Sequence, residues 1–130
     1  MKTILLVDDE YALVENLTEL LQDEGYRVVA AGNGKDGLAR LRSENPELVV
    51  TDNMMPMADG RDLVRGMREL EEFRSTPVVM MSATTRAVAL SDARGKLEVS
   101  AFLRKPFRWE QFLETVVSLI GPGDGARRVP

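Results

Sequence analysis

An α/β fold of the (βα)5 kind, a parallel five-stranded sheet with helices on both faces, is what the sequence predicts. Two observations predict it. Five short aliphatic runs recur without polar alternation, which is how strands buried on both faces read. Between them lie segments whose apolar residues repeat at helical spacing, and strands alternating with helices imply parallel crossover units. A third observation concerns chemistry: the runs end in polar residues that such a topology gathers at one edge of the sheet.

The first strand is Ile4 to Val7, and Leu13, Leu17, Leu20 and Leu21 then mark a helix that Gly25 stops. Val28 to Ala31 is the second strand; Leu38 and Leu41 mark the second helix, ending near Asn45-Pro46. The third strand is Leu48 to Val50, and the third helix, carrying Leu63, Met67 and Leu70, opens on Asp59-Gly60 as cap and turn. Val78 to Met81 is the fourth strand. The fourth helix, Thr85 to Lys96, has the weakest pattern and is expected to be the most mobile; it offers Val88, Leu90 and, just beyond, Leu97, against a glycine at Gly95. Ala101 to Leu103 is a weaker fifth strand. The last helix has the strongest stripe: Trp109, Phe112, Leu113, Val116, Val117 and Ile120. Gly121-Pro122 breaks it. The expected organisation is one domain over residues 1–121 and a flexible C-terminal tail or linker stub over 122–130, where Arg127-Arg128 reads as a solvated charge pair.

Bulk composition narrows the chemistry. The chain has 130 residues, 44% hydrophobic and 29% charged, as expected of a globular domain. Its net charge of −4 argues against direct nucleic-acid binding. No stretch reaches the length of a membrane span, and the first residues read as a strand of a cytoplasmic protein, not as a signal peptide. There is no cysteine and no histidine. That removes serine–histidine and cysteine–histidine catalysis and histidine- or thiolate-bound metals, so any metal must be hard and oxygen-bound. Met54, Met55, Met57, Met80 and Met81 without Cys or His make a poor soft-metal set and read as flexible packing.

At the strand ends stand Asp8-Asp9-Glu10, Asp52, Ser82-Ala83-Thr84 and Lys105-Pro106. Asp9 or Glu10 is also placed to cap the first helix. Three aspartates within a few ångströms repel by roughly 4 kcal/mol per pair at 4 Å in an effective dielectric near 20. Raised pKa values or a cation relieve this. Magnesium takes one or two carboxylates and accepts phosphate oxygens. Lys105 then supplies a point charge for a second phosphate oxygen, and Ser82 a hydroxyl for a third. The set reads as a phosphoryl-handling site, with Asp52, on the central strand, as the carboxylate nucleophile; such a group needs no general base.

"LLVDDE", "VVTDNMMPMADG", "VVMMSA" and "FLRKPF" stand in order along the chain. Together they resemble the four motifs of the receiver domain of two-component response regulators, over residues 2 to about 120, in a single-domain form like the chemotaxis regulators. The resemblance implies a flavodoxin-like three-layer fold with strand order 2-1-3-4-5. It implies that Asp52 accepts a phosphoryl group from a phosphohistidine of a sensor kinase or histidine phosphotransfer protein. Mg2+ is then held by Asp9, by Asp8 mainly through water, by Asp52 and by the backbone carbonyl of Met54, with Pro56 stiffening the turn. Lys105 binds the phosphoryl group, Ser82 is the switch hydroxyl and Phe102 the switch aromatic. The Lys105-Pro106 bond is expected to be cis. Two departures stand out: Glu98-Val99 where many relatives have Gly-Ala, and Phe102 where Tyr is common. The expectation is a signalling switch and not an enzyme, acting through the face of helix four, strand five and helix five on an unknown downstream protein, as a monomer or a phosphorylation-dependent homodimer. Two other readings compete. One is a protein-interaction module with a vestigial site. The other is a phosphohydrolase of the haloacid-dehalogenase kind, against which stand the adjacent "DD" and the lack of a cap domain.

Overall fold

The computed structural model describes residues 1–55, 57–92 and 94–124. Pro56 and the pair Arg127-Arg128 therefore lie outside the described residues. Strands β1 (Thr3–Val7), β2 (Arg27–Ala31), β3 (Leu48–Asp52), β4 (Val78–Ser82) and β5 (Ala101–Arg104) form one sheet. All its pairings are parallel and its order is β2-β1-β3-β4-β5. Helices α1 (Tyr11–Asp23), α2 (Gly34–Glu44), α3 (Gly60–Arg68), α4 (Arg86–Ala89) and α5 (Trp109–Ile120) connect and follow the strands.

Alternation along the strands divides the core in two. Leu5, Val7, Val49 and Met80 pack with Leu41 of α2 and with Leu63, Val64 and Met67 of α3. Ile4, Leu6, Val50, Val79 and Met81 pack with Leu17 and Leu21 of α1 and with Phe112 and Val116 of α5. β1, β3 and β4 are buried along their whole length, so the sheet has apolar layers on both faces and neither face tolerates a polar stripe. Leu20, read from its spacing as part of the α1 stripe, is 37% exposed and lies outside it.

The helix ends follow local chemistry. Asn33 caps α2 by accepting from the Asp36 N–H at 2.8 Å, and Asn45 ends the helix in the left-handed region at φ 48°. Asp59 and Asp62 form a reciprocal capping box at the start of α3. α3 closes at Arg68, so Leu70 falls beyond it, at the start of a 3-10 turn over Glu71–Phe73. The Lys105-Pro106 bond is cis. At the opposite end of the sheet the chain returns on itself: the Asp124 N–H donates to the Gly25 carbonyl at 3.1 Å and the Tyr26 hydroxyl to that of Gly121 at 2.6 Å.

One element differs from its expectation. The segment read as a helix from Thr85 to Lys96 is helical only over Arg86–Ala89, where the Thr85 hydroxyl caps it. Leu90 ends the turn, and Ser91–Asp92 then pairs antiparallel with Gly95–Lys96. Turn chemistry overrides the weak periodicity here. The Asp92 carboxylate accepts the Arg94 N–H at 2.8 Å, and Gly95 takes φ 116°, a conformation that favours glycine. α3 holds the hairpin in place: Arg61 donates to the Ser91 carbonyl at 2.7 Å, Arg65 to Asp92 at 2.9 Å and to the Gly95 carbonyl at 3.1 Å. Arg94 reaches back to Asp62 at 2.8 Å. Leu90 and Leu97 remain buried, so the hairpin serves the core as a helix would have done.

Candidate functional site

Every strand of a parallel sheet ends on the same side, and the chemistry gathers there. β3 ends on Asp52 and β4 on Ser82; Asp8 follows β1 and Lys105 follows β5. Register sets the spacing, with Asp52 level with Met81, and Ser82 level with Arg104. The backbone beneath Asp52 is tightly held. The Thr51 hydroxyl donates to the Asp52 carbonyl at 3.0 Å, and the Asn53 N–H reaches the Met81 carbonyl at 3.1 Å. Gly60, the first residue of α3, comes so close that a Cβ there would lie 2.9 Å from the Asp52 carbonyl carbon and overlap its oxygen.

Asp8, Asp9 and Asp52 each offer a carboxylate oxygen, all within 4.8 Å of one another. Asp8 and Asp52 are buried and Asp9 is exposed. Burial, reinforced by the Asp8 charge, pushes the Asp52 carboxyl from 3.8 up to about 6, against the pull of Lys105. A cluster that holds its proton this strongly is the environment a divalent cation relieves. The donors are all hard oxygens, so the site fits Mg2+.

Lys105 is shared among three acids. Its Nζ lies 2.8 Å from Asp8 Oδ2, 2.9 Å from Glu10 Oε1 and 3.6 Å from Asp52 Oδ1. Burial draws its pKa down, but hydrogen bonds to Asp8 and Glu10 outweigh that and hold it above the ordinary lysine value. Ser82 is fully buried, and its hydroxyl is engaged with that of Thr84 at 2.9 Å while accepting the Thr84 N–H at 3.0 Å. Phe102 is partly buried against the cluster that contains Met80, Leu90 and Leu97. Met54 lies in the loop after β3 with 62% of its surface exposed.

The structure thus brings Asp8, Asp9, Asp52 and Lys105 into one cluster, with Ser82 and Met54 on the strand end and loop that border it. Two contacts of residues named at the strand ends could not be read from the sequence. Glu10 stands at the N-cap of α1 but makes no side-chain cap bond, because its carboxylate goes to Lys105. The only signal was a third acid next to the pair. Thr84 is the partner of Ser82; its mark in the sequence was a second hydroxyl two residues on, ordinary in a capping segment.

An aspartate cluster with a lysine at the carboxyl edge of a β2-β1-β3-β4-β5 sheet defines a class, and residues 4–117 match the model of the response regulator receiver domain. The chain belongs to that family, the receivers of two-component phosphorylation switches. Among its relatives is the protein PilH of Pseudomonas aeruginosa, 32% identical over 121 residues that cover 92% of this chain and 98% of PilH. The response regulator MprA of Mycolicibacterium vanbaalenii is 34% identical over 95% of this chain but only 53% of its own length. The match to hybrid signal transduction histidine kinase D of Dictyostelium discoideum covers 7% of that protein. The chain therefore spans about half of MprA and a small part of the kinase. Among solved structures, chemotaxis protein CheY4 of Vibrio cholerae superposes with a TM-score of 0.80 at 28% identity, covering 92% of this chain and 99% of CheY4. The regulator TrrA of Thermotoga maritima, solved with Mg(2+)-BeF, gives 0.77 at 28% identity, covering 92% of this chain and all of that one. No described helix is long and apolar enough to cross a membrane.

Proposed function

We propose that Asp52 is the phosphoacceptor of a switch driven by a sensor histidine kinase or histidine phosphotransfer protein. The observation that carries this is the setting of the Asp52 carboxylate: buried, held by its strand end, and 3.6 Å from the Lys105 ammonium. A carboxylate oxygen forms the new bond to phosphorus as the phosphorus–nitrogen bond of the donor breaks, and the electron pair leaves with the imidazole. Asp8, Asp9, Asp52 and the Met54 backbone carbonyl are the groups that would hold Mg2+, whose charge offsets that of the phosphoryl oxygens. Lys105 neutralises a further oxygen.

The switch then follows from competition for hydroxyls. Ser82 turns its hydroxyl from Thr84 toward the phosphoryl group, and that shift draws on the segment leading into α4. Phe102 takes up the space on the inner side. The output surface is α4, the paired segments Ser91–Asp92 and Gly95–Lys96, β5 and α5, facing a downstream protein. Residues 1–121 form the receiver unit in this reading, with 122–130 as a tail or linker stub whose first residues fold back onto the unit through the Asp124 N–H and the Gly25 carbonyl. Incubation with a small phosphoramidate or acyl phosphate and Mg2+ should add one phosphoryl group, detected by intact mass. Asp52→Asn should add none. Uptake that survives in Asp52→Asn would move the acceptor elsewhere, and no uptake by the parent chain would favour an interaction module with a vestigial site.

A further inference from the structure

Glu10 occupies a position where a short polar side chain would normally cap a helix. Its backbone is right for the task, at φ −82° and ψ 94°, yet its side chain makes no cap bond. The Glu10 N–H donates to Asp8 Oδ1 at 2.9 Å, which fixes the point from which the side chain reaches. From there Oε1 meets Lys105 Nζ at 2.9 Å, across the site from a residue 95 positions away. Of the three acids around Lys105, the acceptor Asp52 is the farthest. A cavity of about 380 Å3 opens beside the pair, lined by Glu10, Leu13, Ala83, Lys105, Pro106 and Phe107, so the ammonium has room to change position.

We propose that Glu10 is a positioning residue for phosphoryl transfer: a competing anion that holds Lys105 toward the rim and releases it only to a phosphoryl group on Asp52. The inference rests on the reading of Asp52 as acceptor. The Glu10 side chain is 63% exposed, so the pair is a weak one, set to be outcompeted. A phosphoryl group carries up to two charges and several acceptor oxygens, and Glu10 offers one charge in water. Asp8 is the other competitor, but it belongs to the proposed metal set; with the metal held there, Glu10 is the principal rival for the lysine.

Beryllofluoride is the probe, titrated by calorimetry at saturating Mg2+. Glu10→Gln should bind it about two- to fivefold more tightly than the parent chain, the range an exposed ion pair supports. Glu10→Asp separates contact from field, since it keeps the charge and loses the reach. The proposal expects Glu10→Asp to resemble Glu10→Gln. If Glu10→Asp instead behaves as the parent, only the local field matters and the proposal fails. In a Lys105→Met background, Glu10→Gln should change affinity little; equal tightening in both backgrounds would also overturn it. Unchanged affinity in Glu10→Gln overturns it outright. Failure of the underlying reading looks different: the parent would not bind beryllofluoride, or Asp52→Asn would bind it equally well, and both statements would then fall.

Discussion

Replacing Asp52 by Asn removes the proposed nucleophile, yet it should make the folded chain more stable, and only above a certain pH. The Asp52 carboxyl titrates at about 6 in the fold against 3.8 ordinarily, raised by burial and by Asp8. Such an acid holds its proton more tightly in the fold than in the unfolded chain. Well below pH 3.8 both states are protonated and the group is neutral to stability. From there to about pH 6 the unfolded chain ionises first and the fold bears a growing cost, which is constant above that range. At 1.36 kcal/mol per pKa unit the ceiling is about 3 kcal/mol. Water on the open side of the site screens part of it, leaving about 1–2 kcal/mol. Urea unfolding in EDTA, followed by circular dichroism, should place the Asp52→Asn midpoint about 0.5–1 M above the parent at pH 8 and close to it at pH 4. Subtracting the two curves cancels every other titrating group that the substitution does not touch. Saturating Mg2+ should then reverse the order, since a ligand that binds only the fold stabilises it and the substitution takes away one carboxylate of the proposed metal set. A variant equally stabilised at pH 4 and pH 8 would refute the electrostatic argument. A variant destabilised at pH 8 without metal would show that Lys105 outweighs Asp8 and burial.

Two further perturbations test the frame around the site. Gly60→Ala forces a methyl group against the backbone carbonyl of Asp52 at the first residue of α3, so one of the two backbones must shift; a loss of about 2–4 kcal/mol is expected by urea unfolding, and a loss below about 0.5 kcal/mol would mean the β3–α3 loop adapts freely. The hairpin after α4 should be an ionic structure. Arg94, helped by Arg65, holds the Asp92 carboxyl down at about 2, so its contribution is present above pH 4 and is lost as pH falls through about 2. Asp92→Asn should therefore speed amide exchange of Leu97, whose N–H bonds the Leu90 carbonyl at 2.7 Å, while exchange in β1 and β3 stays as in the parent. Unchanged protection at Leu97 would assign the hairpin to apolar packing alone.

The features that were legible in the sequence share a physical origin. Aliphatic runs such as Val78 to Met81 declare strands buried on both faces, and a parallel sheet then has no freedom in where their ends go. Asp52 and Ser82 are placed by topology, before any side-chain contact is considered. Asp59 could be read as a cap because capping is decided within four residues. What could not be read depended on partners far along the chain. The 85–96 segment has both a weak helical stripe and a turn at Asp92 and Gly95, and the balance is tipped by Arg61 and Arg65, 30 and 27 residues away from the residues they hold. Glu10 has equal local claim to cap α1 or to leave it, and Lys105 decides. A charged residue carries no periodicity that names its partner, so local rules fail first where long-range ion pairs compete. Both failures fall beside the groups proposed to move when Asp52 is phosphorylated: Lys105 on one side, and the segment that follows Ser82 on the other. Ion pairs at partly exposed positions are weak enough to exchange, so the parts of this fold hardest to read are also those best suited to switching.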